Sequence, residues 1–118
     1  MNGLPDDIDL NFFVGANLIQ VCIGENEVIA NLDADISLMI ASSVRLAVHA
    51  GEMKVCDDAK ALGIALVPLL GHAVVEASGT VDGTLRLTWD GGTVVEILDS
   101  FKEFESYTVR HGAELIVV

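Results

Sequence analysis

The chain carries one plan twice, and that duplication constrains its fold more than any single motif. Val14-Gly15-Ala16-Asn17-Leu18-Ile19-Gln20 stands over Leu70-Gly71-His72-Ala73-Val74-Val75-Glu76, a glycine opening each copy ahead of matched apolar positions and a closing polar one. The second copy then gains one residue. Val28, Ala30, Leu32, Asp33, Leu38 and Ile40 correspond to Leu85, Leu87, Trp89, Asp90, Val95 and Ile97. A third match sets Val48-His49-Ala50-Gly51-Glu52-Met53 against Arg110-His111-Gly112-Ala113-Glu114-Leu115. Each match is short, but all three fall in the same order.

Both copies read as strands. Ala16–Ile23 alternates, with Ile19, Val21 and Ile23 expected on one face. Glu27–Leu32 and Ile36–Ala41 form a hairpin around Asp33-Ala34-Asp35, which sets Leu32 opposite Ile36, Ala30 opposite Leu38 and Val28 opposite Ile40. All six side chains then share one face, and that fixes the register. A fourth strand follows at Val44–Ala50. In the second copy Asp90-Gly91-Gly92 turns Thr84–Trp89 into Thr93–Leu98, placing Leu87 opposite Val95, Leu85 opposite Ile97, and Arg86 across from Glu96. Glu105–His111 and Glu114–Val118 close the chain.

Asp57–Leu70 departs from strand periodicity. Asp57 is the expected N-cap, and Pro68 ends or bends the helix. Its apolar residues run nearly all the way round, which predicts burial on most faces and makes this helix the first candidate for a contact between subunits. The fold class is therefore α+β, mostly β: two pseudo-repeated antiparallel β-meanders (14–55 and 70–118) joined by one buried helix (57–70) in a single domain. An open barrel, a sandwich and one curved sheet all satisfy the pattern. Ahead of them, Phe12 and Phe13 pin the entry segment to the core.

With 52% apolar residues but only 5% aromatic, the core must be built of Val, Ile, Leu and Ala, and the apolar excess points to a homo-oligomer. Eighteen acids against six bases give a net charge of −12. Such a surface repels nucleic acid and anionic lipid and attracts a basic protein partner. Cys22 and Cys56 form no C-x-x-C, and the acidic N-terminus lacks the form of a signal peptide. The longest apolar run, Ala61–Leu70, is too short to span a bilayer. The expected location is the cytoplasm, with no membrane association.

Catalytic motifs are missing: no phosphate-binding glycine loop, no dinucleotide fingerprint and no serine elbow. Gly91-Gly92 is a turn between strands. His49, His72 and His111 show no metal-ligand spacing, so neither a metal nor another cofactor is expected. The residues with some claim to an interaction or a ligand are His49 and His111, in matched places of the two copies, Glu105 in a carboxylate group with Glu103 and Glu114, Tyr107 beside it, and Trp89. The match of Trp89 with Leu32 favours the core over an exposed anchor for a partner.

Phe104-Glu105-Ser106-Tyr107 after a D-G hairpin, with Gly71 opening the preceding strand, resembles a family of small bacterial proteins of unknown function that carry an F/Y-E-S-Y/W strand motif near the C-terminus. Gly3-Leu4-Pro5 and Val21-Cys22-Ile23-Gly24 extend the likeness loosely into residues 3–55. The resemblance implies a compact β-rich cytoplasmic domain and supplies no catalytic residue. The favoured reading is a non-enzymatic interaction module that acts as a homo-oligomer, with immunity-type inhibitors as the analogous class. The alternative is a small-ligand or metal binder, or an enzyme, whose site lies where the two repeats meet.

Leu115-Ile116-Val117-Val118 is apolar to its last residue, so these positions are expected to be paired and covered. Deleting them should yield insoluble protein or protein without a cooperative melt. A soluble, cooperatively melting deletion variant would refute that.

Overall fold

The computed structural model describes residues 9–47, 54–80, 82–98 and 106–118. Among them, ten strands and one α-helix follow in the order β1 (Leu18–Ile23), β2 (Val28–Leu32), β3 (Ile36–Ile40), β4 (Val44–Ala47), β5 (Lys54–Cys56), α1 (Ala59–Leu66), β6 (Val74–Gly79), β7 (Leu85–Trp89), β8 (Val94–Ile97), β9 (Tyr107–His111) and β10 (Glu114–Val117). Two five-stranded antiparallel sheets result, ordered β1-β2-β3-β9-β10 and β5-β4-β8-β7-β6. The fold is α+β and mostly β, and the described strands form two separate sheets.

Hairpin registers follow the alternation in the sequence. Val28, Ala30 and Leu32 face Ile40, Leu38 and Ile36. In the second copy Leu85, Leu87 and Arg86 face Ile97, Val95 and Glu96. Every one of these apolar side chains is buried. Each fully covered Val, Leu or Ile stabilises the fold by about 1.5–3 kcal/mol before the entropy of ordering is subtracted. The first hairpin turns on Ala34 and Asp35, both at positive φ, and the second uses Gly91 and Gly92 for the same purpose. Glycine takes that conformation without a Cβ clash.

The duplication extends further toward the N-terminus than the alternation reveals. A 3₁₀ turn at Asn11–Phe13 precedes β1, and another at Val67–Leu69 precedes β6. Their hydrogen bonds correspond one for one. Val14 N–H donates to Asn11 O (3.1 Å) as Leu70 does to Val67 (3.0 Å), and Ala16 donates to Phe13 (3.0 Å) as His72 does to Leu69 (2.9 Å). Leu10 and Phe13 are buried, as are their counterparts Leu66 and Leu69. Helix α1 thus leads into the second copy. The copies meet at an antiparallel bridge between Asn17 and Ala73. Around it Gly15 N–H donates to Val74 O, and Gly71 N–H donates to Leu18 O, both at 2.8 Å. This exchange is a local pseudo-twofold.

After β3 and after β8 each copy leaves its own sheet. β9 pairs with β3, and β4 pairs with β8. Each sheet therefore consists of one copy's three-stranded meander completed by the other copy's last hairpin. The crossings are matched too: Ala41 N–H donates to Ser106 O (2.9 Å) and Leu98 N–H to Ser43 O (3.1 Å). One hydrophobic cluster draws on both sheets, α1 and the Asn11–Phe13 turn. The C-terminus is held within it. Val118 is fully buried, its N–H donates to Tyr107 O (3.0 Å), and its carbonyl accepts from Ser106 N–H (2.6 Å). Cys56 holds the equivalent place on β5, paired with Val44 and buried.

Four details differ from the sequence reading. The first copy has a fifth strand, β5, whose three residues are too few to display alternation. The helix cap is Asp58, which accepts from Ala61 N–H (2.8 Å), while Asp57 accepts from Ser43 Oγ (2.8 Å). Helix α1 buries Leu62, Gly63 and Leu66 against β1, β2 and β5 but leaves Ile64 68% and Val67 47% exposed. An all-round apolar helix is therefore covered on one side only. Bulges between Leu18 and Gln20, and between Val74 and Glu76, shift the edge strands β1 and β6, so Ile19 and Val75 point outward. A bulge adds one residue to a period-two pattern and reverses the faces beyond it.

Tyr107, on β9 of the first sheet, donates its hydroxyl to Gly83 O, just before β7 of the second, at 2.6 Å. The ring is 1% exposed. Tyr107→Phe leaves that carbonyl without this donor and should lower the unfolding free energy by about 1–2 kcal/mol in a denaturant titration. Unchanged stability would remove this bond from the links between the sheets.

Candidate functional site

Of the residues singled out in the sequence, the described ones, Trp89, Tyr107 and His111, do not converge. Trp89 ends β7, opposite Val74, and is 3% exposed within the core. Tyr107 lies inside the fold as described. His111 ends β9, half-buried, with its ring stacked on Phe12 at 4.3 Å and an interplanar angle of 7°. The apolar entry segment is thereby held against the rim of the first sheet. His49 and Glu105 lie outside the described residues, as does the matched stretch 48–53. Where β4 and β9 are described, the register puts Ala47 in the place of Arg110, one residue earlier than the sequence alignment has it.

A polar constellation does form at the pseudo-twofold. Asp33, just past β2, receives Asn17 N–H on one carboxylate oxygen (2.8 Å) and Asn17 Nδ2 on the other (2.9 Å), and its own N–H donates to Asn17 O (2.9 Å). Asp90, just past β7, repeats the arrangement. It receives Ala73 N–H (3.0 Å), donates its own N–H to Ala73 O (2.8 Å), and pairs with His72 Nδ1. Each aspartate closes a clasp between its own hairpin and the residue that bridges to the other copy. The Asn17 side-chain amide, then the Asn17 backbone N–H, holds the Asp33 carboxyl below its ordinary value. For Asp90 the Ala73 N–H acts first and the His72 ring second. Donors aimed at a carboxylate favour its charged form. Among the described residues, no nucleophilic side chain joins His72 and Asp90 in a hydrogen-bonded relay.

Among the described residues, no group of three or more His, Cys, Asp or Glu could hold a metal. Cys22 and Cys56 are free thiols. Burial pushes the Cys56 thiol up; the Lys54 charge opposes that shift, and Asp58 and Asp57 add to it. A raised thiol pKa means little thiolate and a weak nucleophile.

The broadest feature is apolar. Nine large apolar side chains stand exposed among the described residues, and seven of them fall within 14–23 or 64–75: Val14, Ile19, Ile23, Ile64, Val67, Leu70 and Val75. The fold explains their gathering. Ile64, Val67 and Leu70 recur at three-residue spacing along α1 and the 3₁₀ turn that continues it, which stacks them as one ridge. The Gly71–Leu18 hydrogen bond brings Leu70 beside Ile19, and the Gly15–Val74 bond brings Val14 beside Val75. Gly63 lies so close to Ile23 that a Cβ there would stand 2.4 Å from Ile23 Cγ1 and Cδ1, so the strand lies directly against the helix. Stretches 14–23 and 61–75 contain no Asp, Glu, Lys or Arg. The sequence indicates the helical half of this surface through its all-round apolar pattern. The strand half is hidden by the two bulges.

No helix of the described residues is long and apolar enough to cross a membrane. The profile of a family of unknown function (DUF6188) matches residues 11–118. No curated protein matches the chain, and no solved structure does.

The clasps make an acid limb of stability. The folded-state pKa values of Asp33 and Asp90 lie below the unfolded ones, so their contribution is complete above the unfolded value and is lost as pH falls through the folded one. The melting temperature should fall with acidification below about pH 4, the range where free carboxyls titrate. An Asp33→Asn/Asp90→Asn variant should melt lower at neutral pH and show a flatter acid limb. Parallel acid limbs in the two proteins would exclude the clasps as its source.

Proposed function

We propose that this chain, which belongs to the family of unknown function DUF6188, is a non-enzymatic interaction module that works as a homo-oligomer. The observation that carries the reading is the apolar surface formed by α1 beyond Lys60, its 3₁₀ extension and the entry segments of β1 and β6, in stretches 14–23 and 61–75 that contain no Asp, Glu, Lys or Arg. Seven partly exposed Val, Ile and Leu side chains supply on the order of 500 Å² of apolar surface, the upper range of what a monomer leaves open. A standard interface covers about 800 Å² per partner, with an apolar centre and a polar rim. This patch has the size of such a centre.

A second copy is the occupant that fits. Two chains of charge −12 repel one another over most of their surfaces, and the stretches that build this patch, 14–23 and 61–75, contribute no Asp, Glu, Lys or Arg. Burying the patch also accounts for the apolar excess in a small chain with few aromatics. The acidic surface left outside the contact is suited to a basic protein, as in immunity-type inhibitors. Reduced Cys22 and Cys56 suit the cytoplasm.

Light scattering across a concentration series tests the reading. The wild type should run at the mass of a dimer or larger. Ile64→Asp/Val67→Asp, at positions that touch solvent in the single chain, should run at the mass of one chain with unchanged circular dichroism. A wild type at single-chain mass throughout the series would overturn the proposal.

A further inference from the structure

The two sheets are copies, but their outer faces have diverged. On the second sheet one registered row holds Arg86, Glu96 and Arg45 on β7, β8 and β4. Glu96 joins both arginines, with Arg45 Nε at 3.2 Å from Oε1 and Arg86 Nε at 4.0 Å from Oε2. The equivalent row on the first sheet holds Ile29, Met39 and Thr108 on β2, β3 and β9, and continues to Val117 on β10. Where one copy closes its surface with a charge network, the other leaves a mainly apolar strip.

A polar row runs beside that strip. Asn31 Nδ2 donates to Gln20 Oε1, and Ser37 Oγ donates to Asn31 Oδ1, each at 2.9 Å. Ser37 pairs in register with Arg110, and Arg110 with Leu115. Among the described residues Arg110 is exposed and has no acidic partner. That isolation is unusual in a chain with 18 acids and six bases. The two rows enclose an open groove of about 360 Å³ on this face, with Ile29, Met39, Val117 and Leu115 supplying its apolar walls and Arg110, Ser37 and Thr108 its polar ones. Both copies build it, β2 and β3 from the first and β9 and β10 from the second.

We propose that this groove binds a small amphipathic carboxylate, with its apolar chain along Ile29, Met39 and Val117 and its head group on the Arg110 guanidinium. The volume lies in the range used for small ligands, about 300–1,000 Å³, and the walls are apolar with a few polar groups to orient the occupant. A guanidinium with no acidic partner among the described residues matches a carboxylate with two parallel hydrogen bonds. The overall charge of −12 repels multiply charged anions most strongly, which selects a single negative charge carried on an apolar body. Thr108 stands beside the head group as a further donor. The groove lies on β2, β3, β9 and β10, while the self-association surface is built from α1 and the entry segments of β1 and β6, so either proposal can fail without the other.

The test is calorimetric titration of the full chain with decanoate, kept below its micelle concentration, and with decanol as the uncharged control. Saturable decanoate binding at one site per chain is expected, tighter than decanol. Arg110→Met, which keeps an apolar stem, should weaken decanoate about tenfold or more and leave decanol unchanged. Arg110→Lys should fall between, because the charge stays and the fork is lost. Met39→Glu, which sets in this strip the acid that the other sheet carries, should remove binding of both. Absence of saturable decanoate binding would overturn the proposal. So would equal affinity for decanol, or an Arg110→Met variant that binds decanoate undiminished.

Discussion

The fold depends on two reciprocal strand pairings, β3 with β9 and β8 with β4. Without them each copy would be a three-stranded meander and a detached hairpin, each with little buried surface of its own. With them every meander gains two strands from the other copy, and the inner faces of both sheets close over one core. The Asn17–Ala73 bridge holds the start of the two copies together, and the Ala41–Ser106 and Leu98–Ser43 hydrogen bonds hold their crossings. The copies can separate only by breaking both sheets. The two copies therefore share both sheets and do not stand as tandem units.

Duplication also leaves each copy a paired position at which to specialise. Asp33 and Asp90 keep the same clasp, but Ala16 in the first copy has become His72 in the second, which adds an imidazole to one aspartate only. The outer rows show the same division more strongly: Glu96 forms ion pairs with Arg45 and Arg86, while the row of Ile29, Met39 and Thr108 leaves Arg110 nearby with no acidic partner among the described residues. The 3₁₀ turns diverge as well. Phe12 anchors the first turn by stacking on Phe13 and on His111. Val67-Pro68-Leu69 continues a full helix whose outer side is apolar beyond Lys60. Such asymmetry on a symmetric frame is where binding surfaces arise, because the core positions that hold the frame are already fixed.

Local alternation carried the hairpins from sequence to structure. With one face buried, a slip of one residue would turn Val28, Ala30 and Leu32 to solvent, so only one register is compatible with their spacing. The match of Trp89 with Leu32 placed the indole correctly for the same reason. Alternation failed where the chain departs from period two. The bulges after Leu18 and Val74 turned Ile19 and Val75 outward, β5 was too short to signal, and the cap moved by one residue because Asp57 and Asp58 are equally good acceptors. The apolar surface was half legible: the helix displayed it in its composition, and the strands concealed it behind the bulges. The groove at Arg110 was not legible, since it depends on which strand lies beside β3.

The sequence by itself determined that the chain is a β-rich duplication, which residues of each hairpin face inward, where the helix lies, and that the surface is strongly acidic. Each of these follows from neighbours within about a dozen positions, through periodicity, turn chemistry or summed charge. Only the tertiary structure decided that the last hairpin of each copy joins the other copy's sheet, that one side of α1 stays uncovered, and that Arg110 has no acidic partner among the described residues. Alternation specifies which face of a strand is buried but carries no information on which strand will be its neighbour. That choice is made by the closure of the whole core, and the candidate surfaces are consequences of it.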